Sequence, residues 1–294
     1  PQEIRMLDQM RKATLPVVID LESKRGTLMS ANELEDIVAG DRWNADWALV
    51  LDPTERIVQQ QWDYLAPINV YAMNVNSGER RHVGVLPKES AEISPCGKFI
   101  IWYEDRNYFA YEIATGKTVC MTVNFPHPVW DEDQDVPMQR MPYGTMGWME
   151  DDRALLIYDR HDIWQLDPTG QTQAVCITAG EGRKTNRRFT YINTDSEKRF
   201  INAGDEVLLR VFDYTTKENG YATLKMGKAA APQIKVIDKY QFTRLQKAKN
   251  APVYVYQKAN FSTSPDVWVA PKGDFQKATK VTDANPQMKE YNWG

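Results

Sequence analysis

The sequence predicts an all-β chain, a β-propeller of four-stranded blades, on three observations: a recurring unit of about fifty residues, short apolar runs on either side of glycine turns, and a near absence of helical patterning. The repeat shows in an ungapped alignment. Asp105-Arg106-Asn107-Tyr108-Phe109-Ala110-Tyr111-Glu112-Ile113-Ala114-Thr115-Gly116 lies against Asp159-Arg160-His161-Asp162-Ile163-Trp164-Gln165-Leu166-Asp167-Pro168-Thr169-Gly170 at an offset of 54. Both stretches start with Asp-Arg and end with Thr-Gly. The same unit, a strand, a few polar residues, a turn glycine and a second strand, recurs at Val70–Gly78, Val211–Gly220 and Val267–Gly273. The turn glycines Gly78, Gly116, Gly170, Gly220 and Gly273 are spaced by 38, 54, 50 and 53 residues, which divides the chain into about six units, the period of propeller blades.

Taken in order, residues 1–46 fit this pattern poorly and form either an N-terminal segment or a degenerate first blade. Within them Ser30-Ala31-Asn32-Glu33 has the form of a capping box and predicts a short helix over Leu34–Ala39, closed by Gly40. Residues 47–294 hold the blades, about five to six in all, in a ring that is either closed or incomplete. Phe99–Tyr103 and Ala154–Tyr158 are apolar runs suited to buried strands. Lys117–Thr122 and Gln173–Thr178 read as the strands returning after the glycine turns, with Ser94-Pro95-Cys96-Gly97 and Glu150-Asp151-Asp152 supplying turns ahead of the inner strands. A twisted sheet has two faces to bury, so each blade needs neighbours, and stacking about an axis supplies them.

Composition narrows the function. Of 294 residues, 36 are Lys or Arg and 40 are Asp or Glu, and the resulting net charge of −4 provides no general attraction for nucleic acid. The apolar runs are far shorter than the roughly 18–20 residues of a membrane-crossing helix, so no span is predicted. Cys96, Cys120 and Cys176 form no CxxC pair and permit at most one internal disulfide. A start at Pro1 and an end at Trp293-Gly294 predict a piece of a longer chain.

Motifs that carry chemistry are missing. No two of the 16 glycines are four residues apart, as a Gly-x-Ser-x-Gly nucleophile elbow requires, or five apart, as a phosphate loop requires. Gly182-Arg183-Lys184-Thr185 reads as a basic loop. His82, His127 and His161 have no metal-binding spacing, and Asp131–Asp135 fails as a calcium loop because Val136 and Pro142 stand where Gly and Glu are needed. Neither a metal nor a cofactor is predicted. What remains is an acidic, proline-bounded insertion, Phe125–Tyr143, on the rim, where long loops carry function. Trp102, Trp164 and Trp268 occupy strand positions and read as packing between blades rather than as a carbohydrate platform. Asp162-Ile163-Trp164 and Asp266-Val267-Trp268, two repeats apart, read as structural.

The stretch Tyr143-Gly144-Thr145-Met146-Gly147-Trp148 through Tyr158-Asp159-Arg160-His161-Asp162-Ile163-Trp164 resembles the propeller domain of bacterial peptidases of the prolyl oligopeptidase family, in its dipeptidyl-peptidase-IV-like branch. Ser94-Pro95-Cys96-Gly97-Lys98 is similar to that family's blade turn, with Cys96 in place of Asp. The tail from Ser264-Pro265-Asp266-Val267-Trp268 to Asn292-Trp293-Gly294 resembles its last blade and the lead-in to a hydrolase domain. The resemblance runs from about residue 68 to the end. It implies a non-catalytic propeller that shapes peptide access to a C-terminal α/β-hydrolase domain, whose Ser-Asp-His triad lies outside this chain. It also implies a peptide substrate and a periplasmic or secreted location. In the dipeptidyl-peptidase branch a pair of propeller glutamates holds the substrate amine. This sequence has no clear Glu-Glu pair; Glu132 and Asp133 are the nearest substitutes, with Arg140 as a carboxylate or carbonyl contact. The residues alone also leave open a free-standing propeller that binds protein or glycan partners.

Overall fold

The computed structural model describes residue 7, residues 11–63 and residues 65–292, with the backbone alone at Asp41 and Trp43. Most of the first ten residues, and Trp293-Gly294 of the tail, therefore lie outside the described residues. The chain is all-β: among the described residues, five four-stranded antiparallel sheets, each a meander in chain order, follow a two-stranded hairpin. These sheets are the blades of a β-propeller.

The hairpin is β1 (Val17–Ile19) and β2 (Gly26–Leu28). Blade 1 is β3 (Asp36–Ala39), β4 (Trp47–Asp52), β5 (Ile68–Asn74) and β6 (Arg80–Leu86). Blade 2 is β7 (Glu92–Ile93), β8 (Phe99–Glu104), β9 (Asn107–Glu112) and β10 (Lys117–Cys120). Blade 3 is β11 (Thr145–Trp148), β12 (Leu155–Tyr158), β13 (Ile163–Leu166) and β14 (Val175–Cys176). Blade 4 is β15 (Arg187–Ile192), β16 (Glu206–Asp213), β17 (Asn219–Lys225) and β18 (Gln233–Asp238). Blade 5 is β19 (Gln241–Lys247), β20 (Tyr254–Asn260), β21 (Thr263–Ala270) and β22 (Thr279–Lys280).

Two compact units divide the chain. The first comprises the residues up to Pro126 with Asp151–Ala154 and Leu166–Gln173, and the second His127–Glu150, Leu155–Gln165 and the residues from Ala174 on. In the first unit, Leu49, Ile68 and Val70 of blade 1 pack with Ile100, Trp102 and Tyr111 of blade 2. Met29, beside the hairpin, packs with Ala48, Val50 and Met73 of blade 1 in a second core. In the second unit, Leu208 and Tyr221 of blade 4 pack with Phe242 and Tyr256 of blade 5 and with Phe275. Each sheet alternates its residues between two faces, and these cores are where facing sheets exclude water from those faces.

A clasp recurs beside the ladder between the third and fourth strands. In blades 2, 3 and 5 the side chain of Asn107, Asp162 or Asp266 accepts a hydrogen bond from Thr122, Thr178 or Thr282, at 2.9, 2.6 and 2.8 Å. The same threonine oxygen accepts from the backbone N–H of Tyr108, Ile163 or Val267, at 2.9, 3.1 and 2.9 Å. Third and fourth strands are thereby joined where the ladder begins, which gives Asp162 and Asp266 the structural role their spacing predicts.

Two expectations need correction. Over Leu34–Ala39 there is no helix: Asp36–Ala39 is strand β3, paired with Ala48–Leu51 of β4. The polar residues that look like a capping box are used otherwise. Ser30 Oγ donates to the Asn32 carbonyl, Asn32 Oδ1 accepts the Leu34 N–H, and Glu35 accepts the Ala31 N–H while forming a two-pronged pair with Arg80. Sheet pairing of the β-branched Ile37 and Val38 then outweighs a weak helical preference.

Gly220 is likewise not a turn residue. Gly78, Gly116, Gly170 and Gly273 have φ of 77, 71, 68 and 70°, whereas Gly220 lies inside β17. In blade 4 the left-handed position belongs to Lys217, at φ 62°. The turns themselves match: Asn74 and Asp213 each accept two backbone N–H groups on Oδ1, from Asn76 and Ser77 and from Thr215 and Thr216. Their places differ, since the Asn74 turn joins third and fourth strands and the Asp213 turn joins second and third. Gly220 is glycine because β18 passes over it; a Cβ there would sit 1.9 Å from the Val236 carbonyl oxygen.

Candidate functional site

The insertion Phe125–Tyr143 is held by its own backbone. Trp130 and Pro142 form an isolated antiparallel bridge, and the Asp131 N–H donates to the Met141 carbonyl at 2.7 Å. Gln134 fastens the loop from within, donating to the carbonyls of Met138 and Gln139 and accepting from the Met141 N–H. Arg140 Nη1 donates to the carbonyls of Asp131 and Glu132, both at 3.0 Å. The loop is thus folded around Arg140, whose guanidinium is engaged with the chain's own carbonyls.

Of the other residues singled out in the sequence, Glu132 has an exposed side chain and its N–H donates to the Tyr143 hydroxyl at 3.0 Å. Asp133 pairs with Arg160 Nη2 at 2.8 Å. Glu132 and Asp133 are adjacent in the chain but engage different neighbours. Burial, foremost, pushes the Tyr143 phenol up to about 12, so this hydroxyl stays protonated throughout the physiological range.

Arg160 leads from the loop to a feature that sequence reasoning misses. Its guanidinium lies 5.0 Å from the centre of the Tyr214 ring, and Arg188 lies 5.5 Å from that of Tyr143. Tyr214 also meets the rings of His161 and Phe212 edge-on, at 5.4 and 5.2 Å. Beside it opens a cleft of about 420 Å³ lined by Arg188, Thr190, Arg210, Phe212, Tyr214 and Asn219. The register explains this lining. Arg188 stands opposite Phe212, Thr190 opposite Arg210 and Phe212 opposite Asn219, so these five residues share one face of blade 4.

The cleft has two cationic side chains on its wall and no carboxylate. Nε of Arg188 is buried without a hydrogen-bond partner, as is Nε of the neighbouring Arg160. A buried donor left unsatisfied costs about 1–3 kcal/mol. The chemistry available here is anion binding against aromatic walls. Among the described residues no three His, Cys, Asp or Glu side chains are grouped so as to hold a metal, and all three cysteines are free thiols.

These residues were hard to find because the repeat hides them. Arg160 aligns with Arg106, yet Asp105-Arg106 forms a tight turn with φ of 45 and 67°, a geometry Asp159-Arg160 does not share. Asp159 instead accepts from the N–H groups of His161 and Asp162, from Trp164 Nε1 and from Arg183, which leaves Arg160 facing the insertion. The usable signal is alternation: Arg188-x-Thr190 and Arg210-x-Phe212 are polar or aromatic residues two apart in strands that pair.

No protein-family model matches the chain, and no curated protein matches its sequence. Among solved structures it is similar to one assigned as a dipeptidyl aminopeptidase IV from Bacteroides ovatus, with a TM-score of 0.50 and 10% identity, over 92% of this chain and 47% of that one. It is also similar to dipeptidyl peptidase 4 of Porphyromonas gingivalis (TM-score 0.40, 10% identity, 96% of this chain and 55% of that). Prolyl oligopeptidase B from Galerina marginata matches with a TM-score of 0.46 and 12% identity, over 90% of this chain and 37% of that. The first likeness is one of fold. The chain spans about half the length of that structure.

Proposed function

We propose that this chain is the propeller domain of a serine peptidase of the prolyl oligopeptidase type, which shapes peptide access to a hydrolase domain carried outside these residues. The observation that carries the reading is the fold likeness over 92% of this chain to a part of a structure assigned as a dipeptidyl aminopeptidase IV. The Tyr-Asp-Arg-x-Asp-Ile-Trp stretch at 158–164 and the absence of any nucleophile elbow from the chain support it. In this reading the rim insertion is the element that peptides meet, with Glu132 and Asp133 offering carboxylates to a substrate amine and Arg140 bracing the loop that presents them. The location that goes with it is the periplasm or the exterior, and no helix among the described residues is long and apolar enough to cross a membrane.

The test uses the whole polypeptide that the gene encodes. It is incubated with a mixture of short proline-containing peptides and with a folded protein, and cleavage is read by mass spectrometry. Short peptides should be cut and the folded protein spared, and Glu132→Gln or Asp133→Asn should raise KM for peptides with a free amine more than for amine-blocked ones. Absence of peptide cleavage, as in a free-standing binding module, or hydrolysis by residues 1–294 alone, overturns the proposal.

A further inference from the structure

The blade 4 cleft has a chemistry that the access role does not require, and we infer that it binds a carboxylate carried on an apolar group, received between Arg188 and Arg210 against the rings of Phe212 and Tyr214. The inference stands on the cleft alone, whatever accompanies the chain.

Two arginines on paired strands at diagonal positions have their Cβ atoms separated by roughly 7–8 Å or somewhat less, within reach of one anion between them. Without an anion, two like charges face the same space. Among the described residues neither Arg188 nor Arg210 forms an ion pair, although elsewhere on this blade Arg187 pairs with Asp213 at 3.0 Å. The strand pattern accounts for the difference. Arg187 and Asp213 are directly opposite each other and satisfied, whereas the next residues, Arg188 and Phe212, turn a cation and a ring to the other face.

Nε of Arg188, a residue of the cleft wall, is buried and has no hydrogen-bond partner. Two further cations stand against the same rings: Arg160 over Tyr214 at 5.0 Å and Lys217 near Phe212 at 6.0 Å. The Thr190 hydroxyl and the Asn219 amide supply neutral hydrogen-bonding groups on the wall. A planar carboxylate suits the fork of a guanidinium, and the rings exclude water from whatever bears it. This set selects an apolar carboxylate over a compact, strongly hydrated anion such as phosphate.

The probe is N-acetyl-phenylalanine, titrated calorimetrically into the protein at low salt beside N-acetyl-phenylalaninamide and inorganic phosphate. Saturable binding of the acid is expected, with the amide and phosphate weaker by at least about tenfold, since both forfeit part of the charge-assisted pairing or the ring contact. Arg188→Gln and Arg210→Gln should each weaken the acid about ten- to hundredfold, and Arg210→Lys, a milder change at an exposed position, should weaken it less. The exposed Lys249→Gln, which removes the same charge elsewhere, should leave it unchanged. Each variant is first checked for an unaltered thermal transition, and Arg210→Lys decides the matter where a Gln variant does not fold. No binding of the acid, equal binding of the amide or of phosphate, or indifference to both arginines overturns the inference.

Discussion

Asp266 shows most clearly how a single side chain holds a blade together. Its carboxylate accepts from the Ala284 N–H at 2.8 Å, from Thr282 Oγ1 at 2.8 Å and from Lys280 Nζ at 3.1 Å. These contacts, the Ala284 N–H foremost, pull its acidity from 3.8 to about 2. A carboxyl whose folded value lies below its unfolded one contributes stability in full above the unfolded value, and loses it as pH falls through the folded one. The contribution of Asp266 is therefore present above about pH 4 and disappears toward pH 2. Asp266→Asn should lower the urea midpoint at neutral pH and flatten its fall between about pH 5 and pH 2; an unchanged slope contradicts the assignment. Thr178 is the matching test in blade 3, because it is fully buried and serves both the Asp162 carboxylate and the Ile163 N–H. Thr178→Val should cost about 1–3 kcal/mol in chemical denaturation, and Thr178→Ser, which keeps the hydroxyl, much less.

At the scale of the element, turns were easier to read than the strands they join. Asn74–Glu79 and Asp213–Glu218 share one chemistry: a side-chain oxygen takes two successive N–H groups and a left-handed residue follows, Gly78 or Lys217. That chemistry is local, so the sequence shows it. Which hairpin of the blade the turn closes depends on strand pairing at a distance, so the fourth unit is read one hairpin out of step and Gly220 is mistaken for a turn glycine. Its own constraint is the Val236 backbone, and Gly220→Ala should destabilise the fold by about 1–3 kcal/mol through forced displacement of β18. Thermal melts of this variant check the point, and an unchanged transition contradicts the close approach. The same limit explains the helix expected over Leu34–Ala39. Its polar signals are real, but Glu35 spends them on Arg80 across the blade, 45 residues away in the chain.

For the molecule as a whole, the all-β class and the blade period were legible because every blade repeats short apolar strands and polar turns. The insertion was legible too, as the departure from that period. The arginine face of blade 4 was not, since Arg188 and Arg210 lie 22 residues apart and meet only through the register of β15 with β16. Asp133 links the two regions through Arg160, so a substitution in the loop should be felt in the cleft. Asp133→Asn releases Arg160 from its partner and should strengthen carboxylate binding a fewfold at low salt; weaker binding would show that the pair holds Tyr214 in place instead. The most direct test of the account is labelling of the whole encoded polypeptide with an alkyl fluorophosphonate, followed by peptide mapping. The account predicts a labelled serine beyond the 294 residues described by this sequence. A label on a serine within them, or no label at all, contradicts it.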